Sequence, residues 1–393
     1  MTARAFSIRF SMSYALLMMG SGVQLPFLPL WLVTKGIDVS GIAFIIAGMM
    51  AVRVAGAPLF AWAADLLGSR RLIIRLCAAG AFVAYAAMAS LDGFWPIAIA
   101  ALVAGFLFAP VFPLSEGFSV DASAALGLDY GRMRLWASVS FLVGSLSSGA
   151  LLTQIDAGSA AWILAAAQGL AVIATLLLPD EPESLRKAKE PSPGGVVKLL
   201  FFSSFSLVLL VAGLAQASHG VLYTVSALHW HSLGFDTLMI GILWTAAVTA
   251  EVGLLAFSNV VVKRFGPEKL VMAGIAGGVV RWLGMAFVTS FSANLALQVL
   301  HVASFALTHL GTMHLIRMNV PEHARNRAQG IYSALAGGVL MASTSWMSGK
   351  LYGTLGGLAY LPMAALSIIA LVGAMRLFGV TATGGQLTAE KLL

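Results

Sequence analysis

The stretch Pro179-Asp-Glu-Pro-Glu-Ser-Leu-Arg-Lys-Ala-Lys-Glu-Pro-Ser-Pro-Gly-Gly195 decides how the rest of the chain is read. It alternates charge with proline and ends in paired glycines, a composition that suits neither a helix interior nor a segment buried in lipid. On both sides of it the sequence is apolar almost without a break. The 393 residues are 59% hydrophobic and 10% charged, with a mean hydropathy of +0.92, whereas soluble proteins run to about 45–50% and about 25%. The chain is therefore composed for a bilayer, and the polar stretch is a linker between two apolar halves. The 41 glycines and 13 prolines fit that reading, because both residues are frequent in membrane helices and glycine lets backbones approach closely.

A spanning helix needs roughly 20 mostly apolar residues, and twelve such segments are expected at about 10–33, 41–64, 72–91, 95–120, 132–155, 159–178, 197–227, 238–262, 268–290, 292–317, 328–349 and 355–377. The fold class is an all-α membrane protein, with twelve transmembrane helices in two pseudo-symmetric six-helix bundles, 1–178 and 197–393, joined by a linker over 179–196. The first segment follows Arg4 and Arg9, as a signal peptide would. Its apolar run is longer than the roughly 7–15 residues of a cleavable one, so it is expected to stay as helix 1. The single cysteine, Cys77, excludes internal disulfides and cysteine-based clusters.

Basic residues set the expected orientation. Nineteen of the 23 fall on one side, in Arg4 and Arg9, Arg70, Arg71 and Arg75, Arg132 and Arg134, the linker, Lys263 to Lys269, Arg317 to Arg327, and Arg376 and Lys391. The other side holds Lys35 and Lys350. By the positive-inside rule both termini are cytoplasmic in a bacterial inner membrane. The net charge of +7 is explained by topology, which removes the main support for a nucleic-acid partner. A shift of about 198 residues also lays Val54 on Val252, Gly68 on Gly266, Leu72 on Leu270, Ala78 on Ala276 and Gly80 on Gly278. Duplicated six-helix halves suit a transporter in which one half moves against the other.

Several segments resemble a known family. The loop Asp65-Leu-Leu-Gly-Ser-Arg-Arg71 is similar to the short signature of the major facilitator superfamily, with Ala61 and Leu66 where a glycine and a basic residue are usual. Leu25-Pro-Phe-Leu-Pro-Leu-Trp-Leu32, Pro113-Leu-Ser-Glu-Gly-Phe118, Asp129-Tyr-Gly-Arg-Met-Arg-Leu-Trp136, Gly278-Val-Val-Arg-Trp282 and Leu300-His-Val-Ala-Ser-Phe305 resemble the phenylpropionate permease family and, more distantly, the lactose permease type of proton symporter. The resemblance implies that Glu116 and Arg134 bind substrate, with Arg132 as a further nearby basic residue. It also implies that Arg281 and His301 belong to a proton-coupling cluster. The acid completing that cluster is expected one turn after His301, where this chain has Ser304. The proton then falls to Glu116, to Glu251 or to an imidazole, or the protein is not proton-coupled.

Ionisable residues inside a membrane are functional candidates by default, since each costs at least about 2.5–3.5 kcal/mol at a helix centre. Arg53 and Glu251 occupy equivalent positions under the repeat and carry opposite charges. They are read either as an inter-helix pair or as a coupling pair, with Glu251 the group able to take a proton. On helix 7, Gln216, His219 and Tyr223 share one face at i, i+3 and i+7 and are candidates for substrate contact. Trp282, with Trp136 and Phe305, offers aromatic surface to a substrate or to packing. His309 and His314 continue beyond His301 without the i, i+4 spacing of a metal pair, so no metal is expected. His229 and His231 flank Trp230 as an interfacial anchor. Pro26 and Pro29, with Gly20 and Gly22, are expected to loosen helix 1. Asp65, Gly68, Arg70 and Arg71 are expected to form a conformational latch between helix ends.

No Gly-x-Ser-x-Gly, His-Glu-x-x-His or phosphate-loop motif is present, so no enzyme activity and no cofactor are expected. The resulting expectation is a monomeric, proton-coupled importer of a small organic solute such as an aromatic monocarboxylate, with the solute, protons and the bilayer as its partners. Sugar or nucleoside symport, drug efflux and a non-transporting sensor or scaffold are the competing readings.

Overall fold

The computed structural model describes residues 3–179, 203–320 and 324–382, so nearly all of the expected linker lies outside the described residues. The described chain is helical, and eleven of its helical runs are long and apolar enough to cross a membrane: Ala3–Thr34, Val39–Leu66, Arg70–Ser90, Phe94–Leu126, Tyr130–Leu152, Ala157–Leu177, Phe205–Ser232, Thr237–Ala256, Pro267–Phe287, Phe291–Asn319 and Ala328–Phe378. The last contains 51 residues, or about 76 Å at 1.5 Å per residue, against a hydrocarbon core of about 30 Å. It is interrupted at Gly356, whose φ of 54° lies in the left-handed region that glycine adopts without penalty. A new helix starts at Tyr360.

Local chemistry explains the other boundaries. Asp38 caps Val39–Leu66 by accepting the Gly41 N–H at 3.0 Å, Ser69 caps the next helix at Leu72 N–H, and Asp129 caps Tyr130–Leu152 at Arg132 N–H. Each satisfies a backbone donor that a helix start leaves open. The span expected to end near 262 stops at Ala256. A break at Phe257 separates it from the short helix Ser258–Phe265, which carries Lys263 and Arg264 in its last turn. The first run bends at Met18 rather than at Pro26 and Pro29, both of which lie inside the helix Met19–Thr34. Gly20 and Gly22 follow the bend directly, so the weak helix formers come before the prolines.

The chain divides into two compact units: Met1–Pro191 with Thr224–Thr245, and Ser192–Tyr223 with Ala246–Leu393. The first is built on close backbone contact. A Cβ at Gly22 would overlap the Phe141 carbonyl oxygen, and one at Gly144 would overlap the Met19 carbonyl oxygen, so the two helices meet backbone to backbone. With no water to drive helices together in lipid, such contact and the hydrogen bonds it permits provide much of the packing energy. Side chains reinforce it: Ser13 donates to the Ala174 carbonyl at 2.9 Å and Thr237 to the Gly149 carbonyl at 2.9 Å. The second unit packs Phe205, Leu209, Ile316 and Tyr332 in one apolar cluster and Val208, Val271, Ile275 and Leu315 in another.

Candidate functional site

In the first unit, proline places the candidate acid. Pro110 and Pro113 have no N–H to give to the Phe106 and Ala109 carbonyls, and Phe94–Leu126 accordingly breaks between Phe108 and Val111. Glu116 stands in the second piece. Its Oε1 accepts the Tyr130 hydroxyl at 2.5 Å and Arg134 Nε at 3.0 Å. Tyr130 and Arg134 are one turn apart on the Asp129-capped helix, so a single face delivers both donors to one oxygen. The guanidinium lies 4.8 Å from the centre of the Phe112 ring. Tyr14 completes the group: Ser119 Oγ donates to the Glu116 carbonyl at 3.0 Å, and the Tyr14 hydroxyl meets Ser119 Oγ at 2.7 Å.

This ion pair is one-third exposed on each side, at 33% for Arg134 and 35% for Glu116. Among the described residues the two Nη groups of Arg134 and Oε2 of Glu116 have no hydrogen-bond partner. A guanidinium fork that spends only Nε on protein still has paired donors for a carboxylate.

In the second unit, Arg281 is fully buried. Nη1 donates to His301 Nδ1 at 2.8 Å and to Ser304 Oγ at 3.0 Å, and Nη2 donates to Gln298 Oε1 at 2.6 Å. A guanidinium can only donate, so His301 Nδ1 is an acceptor and the ring proton sits on Nε2. Nε2 faces Glu251 Oε2 at 3.8 Å. His219 is fixed by the same logic. Its Nδ1 lies 3.0 Å from the Gln216 carbonyl, which only accepts, and its Nε2 lies 3.2 Å from Ser304 Oγ. Hence Nδ1 carries the proton and Nε2 accepts from Ser304. One directed chain runs from Arg281 through Ser304 to His219 and on to the Gln216 backbone.

Aromatic rings enclose this network. Trp282 is fully buried, donates Nε1–H to Ser218 Oγ at 2.9 Å, stacks on Tyr360 at 6.1 Å and meets His219 edge-on at 4.9 Å. Its ring is already covered by protein. Tyr223 stacks on His219 at 5.8 Å. His301, Phe305 and His309 form a column, with successive rings 5.1 Å and 6.1 Å apart and inclined by 13° and 8°. A straight α-helix would turn residues i and i+8 about 80° apart. The π-helical turns over Val302–Leu307 offset that drift, as wider turns must.

The other expected residues fall elsewhere. Arg53 is exposed in the first unit, within electrostatic reach of Tyr85, whereas the described ion pair of Glu251 is with His301. Gly68 turns the chain at φ 61° after Asp65. Arg70 bonds Asp121 Oδ2 at 2.7 Å, which ties two helices of the first unit through a carboxylate the sequence reading did not single out. Arg71 begins the same helix as Arg70. Tyr14, Tyr130, Gln298, Ser218 and Tyr360 were missed as well. Tyr130 alone had a signal, since it lies within the Asp129–Trp136 segment. Trp136 is 46% exposed and belongs to neither network.

Residues 7–361 match the model of the MFS_1 like family. A probable 3-phenylpropionic acid transporter of Escherichia coli is 28% identical over 353 residues, covering 89% of this chain and 92% of that protein. Maltose permease of Geobacillus stearothermophilus is 23% identical over 338 residues, covering 84% of each. Among solved structures, the nucleoside transporter NupG superposes with a TM-score of 0.80 at 17% identity, over 95% of this chain and 99% of that one. A D-xylose-proton symporter gives 0.73 at 15%, over 96% and 98%. At these identities the superpositions speak for the fold.

Proposed function

The chain belongs to the MFS_1 like family, and from that premise we propose that this transporter of the major facilitator type is a proton-coupled importer of a small aromatic monocarboxylate. Twelve crossings are read by counting the 51-residue run broken at Gly356 as two, with both termini in the cytoplasm. The observation that carries the substrate class is Arg134: it is partly exposed, anchored by Glu116 through Nε, and has both Nη groups left for a carboxylate. The similarity to a probable 3-phenylpropionic acid transporter supports an aromatic ring on that carboxylate.

The proton is assigned to Glu251. It is the acid next to the Arg281–His301 pair, and Ser304, which replaces the expected acid, is committed to hydrogen bonds. A second reading, a sugar, draws on Glu116 Oε2, an acceptor suited to hydroxyl groups, and on the similarity to maltose permease.

The deciding experiment is uptake of labelled phenylpropionate, maltose and a nucleoside into proteoliposomes, with and without an imposed inward proton gradient. Gradient-stimulated accumulation of phenylpropionate is expected. Accumulation of maltose or the nucleoside alone would replace the substrate class, and equilibration without accumulation would remove proton coupling.

A further inference from the structure

Arg4, Ser7, Ile8 and Ser11 fall at i, i+3, i+4 and i+7 on one face of the first helix. With Arg132 and Trp136, one turn apart on the helix Tyr130–Leu152, and the turn Gly127–Asp129, they line a cavity of about 540 Å³ within the first unit. The cavity is separate from the Glu116 group, because Arg132 and Arg134 are two residues apart and so point to different sides of their helix.

Its chemistry is one-sided. Among the described residues neither guanidinium has an ion-pair partner, and the Ser7 and Ser11 hydroxyls have no hydrogen-bond partner. The only carboxylate in the lining, Asp129, spends Oδ1 on the Arg132 backbone N–H at 3.1 Å. Beside these donors the surface turns apolar: Ile8 and Met12 are each 50% exposed, and Trp136 is 46% exposed. Paired guanidiniums match the geometry of phosphate oxygens, and tryptophan favours the level of lipid headgroups.

We propose that this cavity binds the headgroup of an anionic phospholipid, with Arg4 and Arg132 on the phosphate, Ser7 and Ser11 on its oxygens, and the acyl chains along Ile8, Met12 and Trp136. The adjoining apolar strip favours a lipid over free phosphate, since free phosphate has no use for it. The expected cytoplasmic position of this end agrees, because anionic lipids give that leaflet its negative surface potential. The inference goes beyond the transport reading, and its assay registers bound lipid rather than uptake, so the two fail separately.

The test uses the delipidated full chain in detergent, titrated with phosphatidylglycerol, phosphatidylcholine or inorganic phosphate, and read by native mass spectrometry and thermal unfolding. Phosphatidylglycerol should be retained and should raise the Tm, while phosphatidylcholine should do neither. Arg4→Gln with Arg132→Gln should lower phosphatidylglycerol retention roughly tenfold or more, and Lys at both positions should restore most of it. If the doubly substituted chain fails to fold, Trp136→Ala carries the test, with reduced retention expected. Equal retention of both lipids, undiminished retention by the folded variants, or stabilisation by inorganic phosphate equal to that by lipid would each overturn the proposal.

Discussion

His301 turns Nε2 towards Glu251 Oε2, 3.8 Å away, because its Nδ1 is occupied by Arg281 Nη1 at 2.8 Å. A neutral imidazole thus stands between a buried guanidinium and a carboxylate. Each charge is expensive in lipid, and the arrangement offsets both without direct contact. In the proposed coupling role, a proton on that carboxylate weakens its hold on the Nε2–H. The His301 ring would pass that change to Arg281 and so to the Arg281–Ser304–His219 chain.

Glu251→Gln keeps the size of the side chain and removes its charge. Uptake driven by a proton gradient should fall to background, while solute exchange at equal pH on both sides of the membrane should persist. Gradient-driven accumulation at the wild-type level would leave Glu251 a structural partner of His301.

Glu116→Gln should abolish coupled uptake, since the variant no longer anchors Arg134 as an ion. Arg134→Lys keeps the charge but not the fork, and should raise the KM for a carboxylate solute about tenfold or more. The concentration dependence of uptake distinguishes the two effects. Near-normal transport by Glu116→Gln would remove it from the site.

Ser304→Ala leaves His219 Nε2 without a donor and deprives Arg281 of one acceptor. Orphaning a buried polar group costs about 1–3 kcal/mol. Thermal unfolding in detergent should show a lower Tm for Ser304→Ala than for Ser304→Thr, which keeps the hydroxyl. Equal values would mean that the Ser304 bridge contributes nothing to stability.

Gly144→Val sets a branched side chain against the Met19 carbonyl, and Gly22→Val does the same against Phe141. Backbone would have to move in either case, and overpacking of this kind costs about 1–3 kcal/mol or more. Both variants should express at reduced yield and aggregate earlier on heating, whereas Gly253→Ala, which meets nothing within 4 Å, should behave as wild type.

Much of the fold was legible because a membrane imposes length and polarity on the chain itself. The spans stand on local sequence, and Glu116 and Arg134 stood out as candidates through short motifs. What escaped depends on separation or on pitch. Tyr14 reaches Ser119 across 105 positions, and Arg70 reaches Asp121 across 51. Nothing local predicts such partners. The column of His301, Phe305 and His309 was hidden for a different reason: spacing arguments assume 3.6 residues per turn, and this helix departs from that pitch where the rings align. Ser304 was visible only as a missing acid. Its role emerged once Arg281 and His219 were seen on either side of it.

The wide turns over Val302–Leu307 amount to a residue of slack in an otherwise regular helix. Removing one residue there would return the segment to α-helical pitch with little change in length, about 1.5 Å. His309 would then stand seven residues from His301, about 20° from it around an α-helix, whereas a deletion in a regular stretch would swing everything beyond it by about 100°. His309 would keep the side of the helix that His301 faces, and the apolar character of the span would stay the same. The wide turns therefore act as a buffer, the place in this span where a residue can be lost with least rotation of the polar interior.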